Sequence, residues 1–250
     1  MKSYPLKAAV WMIGAMISFI LMAISGRELA IRLNTFEIML YRSIIGLVVV
    51  LFFASIFDTF RQIKIDRIIL HFFRNLSHFT GQNLWFLAVV SIPFSQLFAL
   101  EFSTPIWVAL LAPIFLRESL TSRRTISVLI GFVGVLIVAR PDFRDFNFMV
   151  IAATACAVFF AGSMMATKKL TQDQSITCIL FWLTAMQLGM GMLTVIYIGD
   201  LAVPSGANWF WVVAVGIGGL LAHFCITKAL ALAPAIVVIP LDFMRLPLIS

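Results

Sequence analysis

Two stretches of the sequence match each other in pattern: "FLAVVSIPFSQLFALEFSTPIW" at residues 86–107 and "TKALALAPAIVVIPLDFMRLPL" at residues 227–248. Each copy reads as the end of one helix, a turn at a proline, and a second helix that carries a carboxylate. A shift of 141 positions aligns the two copies at Ala88 with Ala229, Pro93 with Pro234, and Leu100-Glu101-Phe102 with Leu241-Asp242-Phe243.

The chain around these stretches is almost continuously apolar. Apolar residues make up 62% of its 250 residues and charged residues 12%, about half the charged share of a soluble domain. Long unbroken blocks exclude a β-barrel, whose strands alternate apolar and polar residues. A helix needs about 20 apolar residues to cross a bilayer, so the sequence predicts an all-α, polytopic membrane bundle. Nine spans are predicted, at roughly 8–24, 36–57, 69–90, 94–116, 126–139, 147–167, 176–198, 209–230 and 234 to the end.

Basic residues predict how the chain is oriented. Loops on the N-terminal side of the membrane hold ten of the 18 lysines and arginines: Lys2, Lys7, Arg61, Lys64, Arg67, Arg117, Arg123, Arg124, Lys168 and Lys169. Loops on the opposite side hold four, namely Arg27, Arg32, Arg140 and Arg144. Cytoplasmic loops carry the excess of basic residues, which predicts a cytoplasmic N-terminus in the cell (inner) membrane. This distribution explains the net charge of +7 without a nucleic-acid partner.

The repeated stretch predicts two units of about five helices each. Residues 1–140 form the first unit and residues 147–250 the second, and their first helices also match by type at a shift of 140, through Ala15 with Ala155 and Phe19 with Phe159. Because five is odd, the second unit enters the membrane from the other side, as in the inverted repeats of secondary transporters. The apolar run has no stop signal at Ser250. We therefore expect the second copy to be incomplete as given, with the rest of its fourth helix and a fifth beyond this residue.

These motifs resemble the drug/metabolite transporter superfamily in its EamA-type, two-repeat branch. The residues that carry the resemblance are Tyr41-Arg42, Arg74, the stretch 86–121, "GFVGVLIVARPDF" at 131–143 and "TKALALAPAIVVIPLDF" at 227–243. The resemblance implies ten helices, both termini in the cytoplasm, and small organic solutes moved by alternating access. Within the superfamily the chain looks most similar to the S-adenosylmethionine uptake carriers.

Charges at membrane depth predict the functional site. A charged side chain at the centre of a span costs about 2.5–3.5 kcal/mol on insertion, so it persists only in a bundle interior or a wet cavity. Counted from the helix ends, Glu101 and Asp242 bracket the midplane, where inverted-repeat carriers hold their substrate. The alternative is a structural role in ion pairs, of Glu101 with Arg42 and of Asp242 with Lys228 or Arg245.

The third predicted span carries a polar stripe. Arg67, His71, Arg74, His78 and Gln82 are spaced by three or four residues, which places them on one helix face. A lipid-facing helix would not carry such residues, so the stripe is predicted to line the central cavity. His78 is the deepest histidine and the candidate for a proton relay. Arg67 and His71 are expected near the cytoplasmic mouth. The alternative is that the lower half of the stripe is solvated interface and that His78 hydrogen-bonds a neighbour.

Together these features predict a secondary transporter, a permease for a small organic metabolite. Acids that alternate with arginines suit S-adenosylmethionine or a similar zwitterion. The expected partners are the substrate, the lipid bilayer, and a coupling proton or a counter-substrate; a homodimer stays open. No cofactor and no metal site are predicted, because Cys156, Cys178 and Cys225 lie singly in apolar blocks.

Two other functions remain as alternatives. An intramembrane enzyme is disfavoured because the chain lacks the H-E-x-x-H motif and has only one aspartate within its spans. A membrane interaction subunit without transport is disfavoured because scaffolding does not require charges inside the bundle.

Overall fold

The structure is a computed structural model that describes residues 3–118, 121–139, 148–199 and 201–248. Over these ranges all regular structure is helical. The α-helices are α1 Pro5–Leu29, α2 Thr35–Ile56, α3 Ile68–Ser91, α4 Phe94–Glu101, α5 Thr104–Phe115, α6 Ser122–Ala139, α7 Phe148–Leu170, α8 Ile176–Ile198, α9 Asn208–Leu232 and α10 Ala235–Val238. A short 3₁₀ turn follows α2 at Phe60–Gln62, and a 3₁₀ helix follows α10 at Ile239–Leu248.

Six helical stretches are long and apolar enough to cross a membrane. They are α1, α2, the Phe94–Phe115 stretch that contains α4 and α5, α7, α8 and α9. The prediction of a polytopic, all-helical membrane protein is confirmed. Helix α3 has a comparable length of 24 residues but carries the predicted polar stripe.

The surface and the interior show the distribution expected of a protein in lipid. Helix α1 turns an apolar stripe outward, made of Leu6, Val10, Ile13, Ile17, Leu21 and Ile24, each at least 40% exposed. Helix α3 buries its polar residues His71, Arg74, Asn75, His78 and Gln82. A continuous apolar exterior around polar interior groups is stable only where hydrocarbon replaces water as the solvent.

Local signals for helix ends recur at the shift found in the sequence. Asn34 caps α2 and forms a capping box with Glu37, while Ser175, 141 positions after Asn34, accepts a bond from the backbone at the start of α8. The last residues of α3 and α9, Ser91 and Leu232, are also 141 apart. The ends of α1 and α7 follow the same shift of 141, not the 140 expected for these two helices.

Packing between helices follows a matching pattern. Helix α1 makes its most extensive contacts with α9, and α3 makes its own with α7. The shift makes α7 the counterpart of α1, and α9 the counterpart of α3. The α1–α9 contact in one direction therefore corresponds to the α7–α3 contact in the other. Helices α2 and α8 also pack together, and that pair maps onto itself. Glycines permit the close approach of α1 and α9, since a Cβ at Gly218 would lie 3.3 Å from the Ser18 carbonyl oxygen.

Two predicted spans differ from the regular helices expected. The fourth is interrupted between α4 and α5, just before Pro105 in the first turn of α5. The ninth begins with the single turn of α10 and continues as a 3₁₀ helix. Pro240 has no N–H and cannot form the i→i−4 bond, which explains why a regular α-helix does not continue there. The loop predicted at 140–146 lies outside the described residues.

Candidate functional site

A cavity of about 50 Å³ lies where α1, α3, α4, α5, α7, α9 and the C-terminal 3₁₀ helix meet. A site needs about 10–15 Å³ by this measure to hold one water, so the cavity has room for a few. Its polar wall consists of His78, Gln82, Glu101, His223, Asp242 and Arg245. The aromatic wall includes Phe19, Trp85, Phe86, Phe102 and Phe160.

An ion triad joins the two intramembrane acids. The Nη2 of Arg245 donates to Glu101 Oε1 at 2.6 Å and to Asp242 Oδ2 at 3.1 Å. Side chains three residues apart eclipse in a 3₁₀ helix, so the local conformation brings Asp242 beside Arg245. The indole Nε1 of Trp85 donates to Glu101 Oε2 at 2.6 Å and completes the bonding of that carboxylate. Two acids and one arginine give the triad a formal charge of −1.

Aromatic rings surround the cation of this triad. The Cζ atom of Arg245 lies 5.2 Å from the ring centre of Phe19, 5.5 Å from that of Phe98 and 4.9 Å from that of Phe102. Each distance lies within the range of a cation–π interaction, which is strongest for a desolvated cation. Arg245 is only 2% exposed, so these rings and the two carboxylates replace its hydration shell.

Two buried histidines form the opposite part of the wall. The ring centres of His78 and His223 lie 4.4 Å apart in an edge-to-face arrangement. Among the described residues, none of their four ring nitrogens has a hydrogen-bond partner, and neither does Gln82 Oε1 or Asp242 Oδ1. Buried polar atoms are normally bonded, so these groups are available to waters or to a bound solute.

The structure brings together four of the seven residues predicted for the substrate or proton pathway. Glu101, Asp242, His78 and Arg245 all line the cavity, and the predicted contact between Asp242 and Arg245 is present.

Two ion pairs named under the structural alternative, Glu101 with Arg42 and Asp242 with Lys228, are not among the ion pairs of the described residues. Arg42 is buried beside Gly219, where a Cβ would collide with its guanidinium group, and its Nη1 faces the sulfur of Met39 at 3.8 Å. The Nζ of Lys228 lies 5.6 Å from the ring centre of Phe224. Counting spacing along single helices could not show that Arg245 reaches across to Glu101, because that contact joins residues 144 positions apart.

The polar stripe of α3 divides between two environments. His78 and Gln82 line the cavity, as predicted. Arg74 instead packs against α7, where its Nε donates to Thr167 Oγ1 at 3.0 Å, and His71 packs against the Trp182 ring of α8. Arg67 lies at the surface in an ion pair with Asp173. His71 and Arg74 are therefore not the cavity residues that the stripe predicted, and the exposed Arg67 fits the alternative of a solvated interface.

Sequence reasoning missed His223 and Trp85 as parts of the site. The shift of 141 pairs His78 with Gly219, one helical turn before His223. A search for polar residues within one turn of each shifted position would have found this histidine. Trp85 gave no comparable signal, because an indole in an apolar span is usually a packing residue.

Comparisons with known proteins give a consistent result. The sequence pattern of the EamA-like transporter family matches residues 6–140. The chain is 27% identical over 251 aligned residues to a riboflavin transporter of Vibrio cholerae, with 99% of this chain and 84% of that protein covered. It is 26% identical to an S-adenosylmethionine uptake transporter of Rickettsia felis, with 98% and 82% covered.

A solved crystal structure shares the fold. It superposes with a TM-score of 0.75 at 19% sequence identity, and the match covers 96% of this chain and 84% of the other. At this identity the likeness concerns the arrangement of helices and not the chemistry of the site.

Proposed function

We propose a substrate class and a transport cycle for this chain, which belongs to the EamA-like transporter family and is a multi-pass membrane transporter of a small metabolite. The family and its named relatives are transporters, so an intramembrane enzyme is set aside. The proposed substrate is a flat nitrogen heterocycle that carries hydrogen-bond donors or a positive charge, held in the central cavity and moved by alternating access.

The observation that carries this proposal is the set of unpaired acceptors in the cavity. Asp242 Oδ1 and Gln82 Oε1 can only accept hydrogen bonds and have no partner among the described residues, and both residues line a cavity with room for only a few waters. The aromatic wall offers ring faces for stacking and for cation–π contact. The triad's formal charge of −1 favours a solute that brings positive charge or donors.

Two solutes fit this chemistry. S-adenosylmethionine joins a purine ring to a sulfonium and an ammonium group, and relatives from Rickettsia are named as its uptake transporters. Riboflavin has a flat ring with an N–H and a hydroxylated chain, and the Vibrio cholerae relative is named as its transporter. The charge of the triad favours the first, and we propose it ahead of the second.

The small cavity supports a cycle in which the bundle opens. Sites for organic ligands usually measure about 300–1,000 Å³, so a cavity of about 50 Å³ cannot hold such a solute without helix movement. We propose that two inverted repeats, residues 1–140 and 147–250, rock against each other around this cavity. The recurrence of helix ends at a shift of 141 supports this division.

In the proposed orientation the protein lies in the inner membrane of the cell, and its N-terminus faces the cytoplasm. Support comes from the unequal distribution of basic residues between alternate loops. The coupling is proposed to use a proton or a counter-substrate, and His78 with His223 offers paired nitrogens at membrane depth for a proton.

Uptake by purified protein in sealed proteoliposomes tests the function. Labelled S-adenosylmethionine should accumulate inside, and excess riboflavin should compete less than excess unlabelled S-adenosylmethionine. An imposed proton gradient and preloaded substrate separate the two forms of coupling. If neither solute were taken up faster than by protein-free liposomes, the proposed substrate class would be contradicted. If riboflavin were taken up faster than S-adenosylmethionine, riboflavin would become the first proposed substrate.

A further inference from the structure

Two basic residues at opposite ends of the bundle make the same contact. Arg27 lies two residues before the last residue of α1, and Lys168 lies two residues before the last residue of α7. Arg27 Nη2 donates to the Val89 carbonyl oxygen at 2.9 Å, and Lys168 Nζ donates to the Leu230 carbonyl oxygen at 2.7 Å. Donors and acceptors are both separated by 141 positions. The correspondence therefore concerns a specific bond in each copy.

Both bonds are made to backbone carbonyl groups at the end of a helix, which have no donor within that helix. The last carbonyls of a helix have no intrahelical donor and lie at the negative end of the helix dipole, where a cation is stabilising. Val89 and Leu230 lie in the last turns of α3 and α9. Lys168 also reaches the Ala233 carbonyl oxygen at 2.9 Å, just beyond the end of α9.

Each bond lies at the turn from which an acid-bearing segment departs. Pro93 precedes α4, which ends at Glu101, and Pro234 precedes α10, which leads to the 3₁₀ helix of Asp242. Arg27 therefore connects the first helix of the first unit to the turn that precedes the Glu101 segment. Lys168 does the same in the second unit, for the turn that precedes the Asp242 segment.

Further contacts reinforce each end. The guanidinium carbon of Arg27 lies 3.2 Å from the ring centre of Phe94, the first residue of α4. At the other end, the Glu118 carboxylate accepts the backbone N–H groups of Ala235 and Ile236 at 3.0 and 3.2 Å. Both turns are thus held from outside their own helices.

We propose that Arg27 and Lys168 are the two gate latches of the transporter, one for each face of the membrane. The inference rests on the alternating access proposed above. Both latches are closed in this structure, which agrees with the small volume of the cavity. When a latch opens, the charged side chain loses its hydrogen bond to the carbonyl oxygen and donates to water instead. The adjacent turn is then free to move, and solute enters from that face alone.

Thiol labelling from each face tests the latches. The reporter is Thr104→Cys, which lines the cavity, in a chain whose three native cysteines are replaced by alanine. An impermeant thiol reagent is added to one face of sealed vesicles and then to the other. Loss of a charge-assisted bond should shift the ratio of the two labelling rates by on the order of tenfold.

The direction of the shift is the decisive result. Arg27→Gln should raise labelling from the face where α1 ends, and Lys168→Gln should raise it from the opposite face. The double variant should bring the ratio back toward that of the unmodified chain, with both rates raised. The matched controls Arg32→Gln and Lys169→Gln, exposed neighbours of the two latches, should leave both rates unchanged.

Static helix caps would give a different outcome. Variants that label equally from both faces, or that shift the ratio in the same direction, would overturn the proposal. Should the glutamine variants fail to fold, Phe94→Leu and Glu118→Gln, which weaken the reinforcing contact at each turn, must show the same opposite signs with smaller size, and an unchanged ratio there would also overturn it. Absence of solute uptake with intact opposite shifts would contradict the proposed substrate and leave the latches supported.

Discussion

The two intramembrane acids occupy equivalent positions in the repeated stretch, but their surroundings differ. Both oxygens of Glu101 are bonded, one to Trp85 and one to Arg245, and its side chain is 11% exposed. Asp242 shares one oxygen with Arg245, while its other oxygen has no partner among the described residues and its side chain is 21% exposed. Glu101 is therefore the more fully bonded of the two acids, and Asp242 keeps one oxygen without a partner among the described residues.

The origin of this difference is visible in the sequence. The shift of 141 that pairs the acids also pairs Trp85 with Ile226. Isoleucine has no donor, so the second copy has no counterpart of the indole bond to Glu101. This one difference between the two matched stretches leaves Asp242 with fewer hydrogen bonds than Glu101.

The largest effect should come from removing the cation that both acids share. Arg245→Gln leaves two buried carboxylates without their arginine, and breaking a buried ion pair costs about 3–5 kcal/mol. Thermal unfolding in detergent should show this loss. The control Arg67→Gln removes the surface pair with Asp173, which is worth about 0–1 kcal/mol. Equal losses in the two variants would contradict a structural triad.

The second prediction separates the two acids. Glu101→Gln removes the charge from both bonds of that carboxylate and should cost about 1.5–3 kcal/mol of stability, with fewer folded molecules. Asp242→Asn keeps the size of the side chain and loses a single long bond, so it should cost about 1 kcal/mol. Its transport per folded molecule should nevertheless fall at least about tenfold, because the free acceptor for the solute loses its charge.

The measurement is solute uptake divided by the amount of folded protein, compared with thermal unfolding of the same samples. Asp173→Asn, an acid in an exposed pair, is the matched control and should preserve both quantities. Combining Glu101→Gln with Arg245→Gln should cost less than the sum of the single variants, since the two residues are in contact. If Asp242→Asn transported normally while Glu101→Gln did not, the assignment of the two acids would have to be reversed.

The fold was largely predictable because the solvent is lipid. A bilayer requires long apolar helices with all backbone groups bonded internally, so span positions follow from composition. The exceptions lie at prolines: the break before Pro105 and the 3₁₀ helix that contains Pro240. A proline shows that regular bonding fails, but not which alternative backbone replaces it.

The site was predictable only in part, for a reason of geometry. Depth along a span follows from counting residues, and it correctly placed Glu101 and Asp242 near one another. The rotation of one helix against another does not follow from depth, and it decides partners. Arg42 was expected at the depth of Glu101, but it faces α9 at Gly219 and not α4.

The smallest effect should come from Lys228→Gln, which tests the pairing that the structure contradicts. If Lys228 were the partner of Asp242, its loss would strand a buried carboxylate at a cost of several kcal/mol. In the structure the Nζ lies 6.0 Å from the ring centre of Trp11 and 5.6 Å from that of Phe224. Such contacts contribute about 0.5–1 kcal/mol at partly exposed sites, so unfolding should shift little and transport per folded molecule should be retained. Replacing both Lys228 and Asp242 should then give the sum of the single losses. A double variant more stable than Lys228→Gln alone would reveal the ion pair after all, and would make Asp242 a structural acid like Glu101.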